Sequence, residues 1–237
     1  MNNNTDSLVA VEMKNISKSF GGIKALDDVD ISFRYGEIHA LLGENGAGKS
    51  TILKILRGIY NPNEGKISID NNAFDNLTPQ TAKNYGIGMI FQEMSLVQSL
   101  TVAQNIYLGN EPVTKFGFID DNALIKNSKK IFESMGINID AREKLHNLST
   151  GQQQLTEIAK ALSQNAKILI LDEPTSALTS SEVKILFNLL IKLKSEGKCI
   201  IYVSHRMEEI FQIADKITVL RDGKLINTKK IEAYNLK

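Results

Sequence analysis

The sequence predicts an α/β fold built on a mainly parallel sheet. Three observations carry this. Short apolar runs alternate with stretches of helical spacing through the second half of the chain. A glycine-rich turn stands between a buried strand and a helix, and an acidic pair closes another apolar run. The chain has 237 residues, 42% of them hydrophobic and 23% charged, which is ordinary for a globular protein. That composition excludes a disordered, collagen-like or disulfide-scaffold class. The length suits one large domain or one domain with a sub-lobe. Lys and Arg number 28 against 27 Asp and Glu, a balance that argues against a nucleic-acid-wrapping surface.

The start, MNNNTDSL, reads as a loose polar tail without the apolar centre of a signal peptide. From Val9 to Phe33, alternating pieces (VAVEMKNISKSF, ALDDVDISF) predict antiparallel strands and turns. GEIHALLG is a buried strand entering a glycine turn, and KSTILKILRG has helical spacing with Ile52, Ile55 and Leu56 on one face and Gly58 as its stop. NPNEGKISID is a turn and a strand, and GIGMIF (86–91) is another short buried strand. Residues 93–147 are mixed in polarity, helical in places, and read as an inserted helical lobe. A helix follows at 151–164, then the strand KILIL, then a helix at 180–196. Thr179 and Glu182 are spaced as a capping box for that last helix, and Gly197 ends it. Strand CIIYV, helix RMEEIFQIAD and strand ITVL close the pattern. Cys199, the single cysteine, sits in CIIYV and reads as a core thiol. No stretch approaches the roughly 18–20 apolar residues of a spanning helix. The chain is therefore expected in the cytosol, with any membrane role exercised through a partner.

Residues 43–51, GENGAGKST, satisfy G-x-x-x-x-G-K-[ST] through Gly43, Gly48, Lys49 and Ser50. Glycines at this spacing let the backbone fold round a phosphate chain with its N–H groups inward, and the following helix adds its positive end. Within this cradle (Gly43, Glu44, Asn45, Gly46, Ala47, Gly48, Lys49, Ser50, Thr51), Lys49 is expected to reach the β and γ phosphates. The Ser50 hydroxyl is expected on Mg²⁺, and Thr51 on the α phosphate. Asp172, Glu173 and Pro174 follow a buried strand, at the edge where open α/β sheets bind ligands. Asp172 can hold the metal through water, and Glu173 can polarise an attacking water. LSTGQQQ (148–154) places Ser149 and Gly151 at another helix start, a second anion-ready site. One domain does not need two γ-phosphate sites, so this loop is best used in trans, on ATP held by a second copy.

With these motifs in this order, the chain resembles the nucleotide-binding subunits of ABC transporters over nearly its full length. LSTGQ looks like their signature motif, with Ser149, Gly151 and Gln152 as its nucleotide-facing residues. The resemblance implies a P-loop NTPase (RecA-like) core with an antiparallel β subdomain and an inserted helical subdomain. It divides a single domain 1–237 into a core (9–92 and 165–237) and a helical part (93–164). By resemblance, Phe20 stacks on adenine, Gln92 touches the metal and senses the membrane partner, and Ser176, Ala177 and Leu178 begin the D-loop. His205 looks like the switch histidine that contacts the γ-phosphate. Taken singly, Phe20 reads as core packing, Gln92 as a surface amide and His205 as a strand-end histidine; His39 and His146 receive only that ordinary reading. Two positions depart from the family pattern. Thr150 stands where many relatives have glycine, and its side chain is expected to limit the backbone there. Thr179 stands where Asp is usual, which puts signalling through a D-loop carboxylate in doubt.

FQEMSLVQSLTVAQNIYLGNE, DEPTSALT and IYVSHRMEEIFQIADKITVLRDG resemble, more narrowly, the first half of tandem ATPases of bacterial monosaccharide importers of ribose, galactose and xylose type. The implied activity is ATP hydrolysis with Mg²⁺ at the cytoplasmic face of the membrane. The implied partners are a second ATPase domain docked head to tail, a membrane permease and, indirectly, a solute-binding protein, with no nucleic acid. The alternatives are another small solute such as a nucleoside, a soluble ABC-type ATPase, or a non-hydrolysing ATP-gated module. The roughly 100 residues between cradle and signature lack the sustained heptads of a DNA-repair relative. Lys49, Glu173 and His205, all needed for hydrolysis, are present.

Overall fold

The computed structural model describes residues 8–90 and 95–233. In chain order the elements are β1 (Val9–Phe20), β2 (Ile23–Arg34), β3 (Ile38–Leu42), α1 (Lys49–Leu56), β4 (Glu64–Ile69), β5 (Asn72–Phe74), α2 (Pro79–Asn84) and β6 (Ile87–Ile90). Next come α3 (Val102–Tyr107), α4 (Asp121–Met135), α5 (Thr150–Ser163), β7 (Ile168–Asp172) and α6 (Ser180–Ser195). β8 (Cys199–Val203), α7 (Met207–Ile213), β9 (Lys216–Arg221) and β10 (Lys224–Lys230) complete the chain. It divides into two compact units, one of Met1–Met89, Lys167–Glu173 and Leu190–Lys237, the other of Ile90–Ala166 and Pro174–Leu189.

The first unit carries two sheets. An antiparallel one has the order β2-β1-β4-β5. Gly21 and Gly22, both at positive φ, make the two-residue turn that returns β1 into β2 and leave Phe20 opposite Ile23 at the hairpin end. The second sheet has the order β10-β9-β3-β8-β7-β6, and β9, β3, β8 and β7 run parallel. Every residue of β8 is buried, as are the first four of β3 and of β7. Central parallel strands are covered on both faces, which is why they are unbroken apolar runs in the sequence. β10 pairs antiparallel at the edge. The sequence pattern did not predict it, because KLINTKK is an exposed, lysine-rich edge strand with little apolar signal. Helix α1 buries Ile52, Leu53, Ile55 and Leu56 in a core that includes Ile170, Ile201 and Val203. Each such side chain contributes about 1.5–3 kcal/mol. Cys199 belongs to this core, and burial pushes its thiol far above the ordinary range, so it is inert.

His39 lies fully buried in β3. One ring nitrogen, Nε2, meets the Thr218 hydroxyl at 2.7 Å, which in turn meets Thr228 at 2.8 Å; Nδ1 stands 3.2 Å from Glu37. Burial lowers the His39 pKa, and the Glu37 carboxylate opposes that shift without overcoming it. A histidine kept neutral in the fold binds its proton more readily when unfolded. Its contribution is therefore present above the unfolded pKa of about 6.5 and is lost as pH falls below it, by at most about 1.4 kcal/mol per pH unit. Urea denaturation at pH 7.5, 6.5 and 5.5 should show falling stability, with a shallower fall in His39→Gln. A profile identical in parent and variant would contradict this assignment.

The second unit is helical among its described residues, apart from isolated bridges. Its helix starts are side-chain capped. Thr101 and Gln104 form a capping box on α3, and Asp120 accepts from the Ala123 amide on α4. Asn105 is fully buried, with its amide group bonded to both backbone groups of Val97 and to the Thr101 carbonyl. The Ser95 hydroxyl donates to the buried Glu157 of α5 at 2.6 Å. α6 starts in this unit behind Thr179. The Thr179 amide and hydroxyl donate to the Glu182 carboxylate at 2.8 Å each, and the Glu182 amide reaches the hydroxyl at 3.4 Å, so the capping box forms. Gly197, at positive φ, follows its end.

Candidate functional site

The glycine-rich turn follows β3 and enters α1 at Lys49. Gly48 caps that helix in the left-handed region at φ 105°, and a Cβ there would stand 2.8 Å from the Ala25 carbonyl oxygen and 2.7 Å from Leu26. Only glycine fits this combination of backbone and space. β2 therefore presses directly on the turn, and the Gly223 amide donates to the Ala47 carbonyl from the other side. A cleft of about 280 Å³ opens over the turn, lined by Asn45, Gly46, Gly48, Lys49, Ser50 and Thr51, with Phe20 at its rim. The Lys49 ammonium donates to the Gly43 carbonyl at 2.7 Å and the Glu44 carbonyl at 3.0 Å, which holds a positive charge inside the loop. Phe20 is 42% exposed; its ring meets the Tyr60 ring edge to face at 5.0 Å and has the Lys18 ammonium over it, 5.2 Å from the ring centroid.

β3, β8 and β7 are parallel neighbours, so the turn, Asp172 at the end of β7 and His205 just beyond β8 share one edge of the sheet. Burial, and then the charge of Glu173, raises the Asp172 carboxyl above the usual range, while Lys49 and Lys54 pull it down. A partly desolvated carboxylate of this kind, at the sheet edge that also carries the serine of the glycine-rich turn, is a donor type that fits a hydrated Mg²⁺. Glu173 sits in the left-handed region at φ 49°, uncommon for a residue with a side chain, and its amide donates to the Val203 carbonyl at 2.9 Å. Its carboxylate lies 3.1 Å from Nδ1 of His205. The imidazole is mostly exposed and the carboxylate mostly covered, so the pair presents the ring to solvent. Gln92 lies outside the described residues.

The family model of the ABC transporter matches residues 26–176, which include the cradle and the acidic strand end. The chain belongs to the ABC transporter family. It is 50% identical over 226 residues to the ribose import ATP-binding protein RbsA of Lactococcus lactis subsp. lactis (strain IL1403), covering 95% of this chain and 46% of that protein. It is 49% identical over 233 residues to the galactose/methyl galactoside import ATP-binding protein MglA of Pasteurella multocida (strain Pm70), covering 98% and 46%. It is 49% identical over 224 residues to the xylose import ATP-binding protein XylG of Geobacillus kaustophilus (strain HTA426), covering 94% and 44%. The chain thus spans just under half the length of each of these relatives. Among solved structures, the ADP conformation of MJ1267, an ATP-binding cassette of an ABC transporter, superposes with a TM-score of 0.84 at 28% identity, covering 94% of this chain and 92% of that one. The dimeric post-hydrolysis state of the cassette MJ0796, bound to ADP and Pi, gives 0.81 at 30% identity, covering 93% and 98%.

The LSTGQ loop of this ABC family member is built as a helix start. Ser149 caps α5, accepting from the Gln152 amide while its own amide donates to the Gln152 side chain, a second capping box. Thr150 is the first residue of α5 and is not among the positive-φ residues, so the backbone does not demand glycine there. The expected restriction from its side chain does not arise, because the first turn of a helix accepts any L residue except where packing forbids it. At Gly151 the neighbour is a side-chain end rather than backbone. Gly151 is buried, and a Cβ on it would land on the Glu182 carboxylate. The sequence reading assigned Glu182 only as a cap and missed this contact; its one signal was the Thr179–Glu182 spacing. Tyr60 behind Phe20 was also missed, and no sequence pattern joins those two positions. His39 lies in the core on the Thr218 hydroxyl, and His146 meets the Gln98 carbonyl.

Proposed function

We propose that this chain is the ATP-binding and ATP-hydrolysing half-site of an importer for a monosaccharide. The observation that carries the reading is the likeness, near 50% over almost the whole chain, to ATP-binding proteins of ribose, galactose and xylose import. The half-length match supports a tandem arrangement in which a second ATPase domain faces this one. In this reading the permease is the membrane partner and the chain docks on it peripherally. No helix among the described residues is long and apolar enough to cross a membrane.

The adenine rests on the Phe20 ring at the rim of the cleft, where the Lys18 ammonium over the ring gives way to it. The amides of 43–51 and the Lys49 ammonium bind the phosphates, and Thr51 bonds the α phosphate. Lys49 exchanges the Gly43 and Glu44 carbonyls for phosphate oxygens, a gain in charge-assisted bonding. Ser50, Asp172 and Gln92 are the residues that would hold Mg²⁺, which supplies neutralisation of the developing phosphate charge when bound. Glu173 orients and deprotonates the attacking water. His205, held by the Glu173 carboxylate, donates to the γ-phosphate. Ser149, Gly151 and Gln152 serve the nucleotide of the facing domain, with the first amides of α5 directed at its γ-phosphate.

Two measurements test this. Turnover per molecule should rise with protein concentration, because each reaction centre needs two domains; a rate per molecule independent of concentration would remove the trans reading. Deleting the gene in its own host should abolish uptake of labelled ribose, galactose or xylose. Uptake of all three at the parental rate would remove the sugar assignment and leave the ATPase reading standing.

A further inference from the structure

We propose that Glu182 is a positioning residue for the signature loop: its carboxylate, clamped by Thr179, is the seat on which Gly151 rests. The inference builds on the reading that this loop meets the nucleotide of a facing domain. Two helix starts meet here inside the second unit. α5 begins with Ser149 and its capping partner Gln152, and α6 begins behind Thr179 with Glu182. The Glu182 carboxylate accepts from both the amide and the hydroxyl of Thr179, so its terminus is fixed rather than free to swing. That held carboxylate occupies the space a Cβ on Gly151 would need, and Gly151 is buried.

The physical consequence follows from the geometry. A helix start that must aim its amides at a phosphate needs its first turn held to within a fraction of an ångström. Ser149 and Gln152 fix the local turn but not its placement. Glu182 supplies placement, because it is tied to α6 by the capping box and to α5 by direct packing. A negative charge there is also favourable at the first turn of α6. Thr179 stands six residues after Glu173 in the chain (179 − 173), so the segment leaving the hydrolytic strand end runs into the clamp. The position where a D-loop carboxylate is absent is thus served by a carboxylate one helical turn later.

The test uses the full chain, with binding of a fluorescent ATP analogue, steady-state turnover and thermal melting as readouts. Glu182→Asp keeps a carboxylate able to cap α6 but withdraws it from Gly151. It should melt within about 2 °C of the parent, bind nucleotide normally, and lose turnover by about tenfold or more. Glu182→Gln keeps the length and an acceptor for the Thr179 amide, and should retain most of the parental rate. Gly151→Ala should lower the melting temperature in the parent and by clearly less in Glu182→Ala, where space has been made. Parental turnover in Glu182→Asp would overturn the proposal, as would strictly additive melting shifts for the 151 and 182 substitutions. Ser149→Arg separates the two levels of the argument. If Ser149→Arg hydrolyses at the parental rate, the trans reading itself fails. If Ser149→Arg is inactive while Glu182→Asp is unaffected, only the role of Glu182 fails.

Discussion

Glu173→Gln is expected to lower ATP turnover by about 10²–10⁴-fold while leaving nucleotide affinity unchanged. The carboxylate stands at the end of a buried strand, at the same sheet edge as the cradle, and its backbone is held at a positive φ by the surrounding fold. Glutamine has the same shape and can still meet His205, so the site remains assembled, but its amide cannot take a proton from water. The energy that holds two domains around ATP is then not released by hydrolysis. The variant should therefore accumulate as an ATP-dependent dimer, seen by size-exclusion chromatography with light scattering. Parental turnover in Glu173→Gln would show that another group is the base. Asp172 would be the next candidate, since burial already disfavours its charged form.

Lys49→Ala is expected to weaken ATP binding by about ten- to a hundredfold, measured by equilibrium titration. Charge-assisted hydrogen bonds contribute about 1.5–3 kcal/mol each, and about 1.4 kcal/mol is tenfold in affinity. The structure explains why the effect falls on binding rather than on folding. The ammonium is held by the Gly43 and Glu44 carbonyls of the loop, partners that solvent can replace. Helix α1 is anchored separately through Ile52, Leu53, Ile55 and Leu56. Unaltered affinity in Lys49→Ala would mean that the backbone amides alone carry the phosphate.

In the proposed reading the two variants also separate binding from chemistry. Lys49→Ala is expected to raise the ATP concentration needed for half-saturation, and any loss of the saturating rate measures what the ammonium adds at the transferring phosphate. Glu173→Gln is expected to lower the saturating rate itself, which added ATP does not restore. The role proposed for Glu182 is a third kind, exerted on neither the bound nucleotide nor the attacking water of its own domain.

Local backbone geometry was legible in the amino-acid order. The phosphate turn depends on glycines at fixed offsets before a lysine, and Gly48 shows why: left-handed backbone and a carbonyl 2.8 Å from where a Cβ would be. Central strands were legible because burial on both faces forces apolar runs, whereas the exposed edge strand β10 left no such trace. Helix starts were legible where a cap and its partner lie three residues apart, as at Thr179 and Glu182. Contacts between distant segments were settled only by tertiary packing: His205 on Glu173, Tyr60 behind Phe20, and the Glu182 carboxylate beneath Gly151. The reason is geometric. A motif constrains the few residues whose backbone it bends, while a contact between helices or strand ends depends on where the whole core places them.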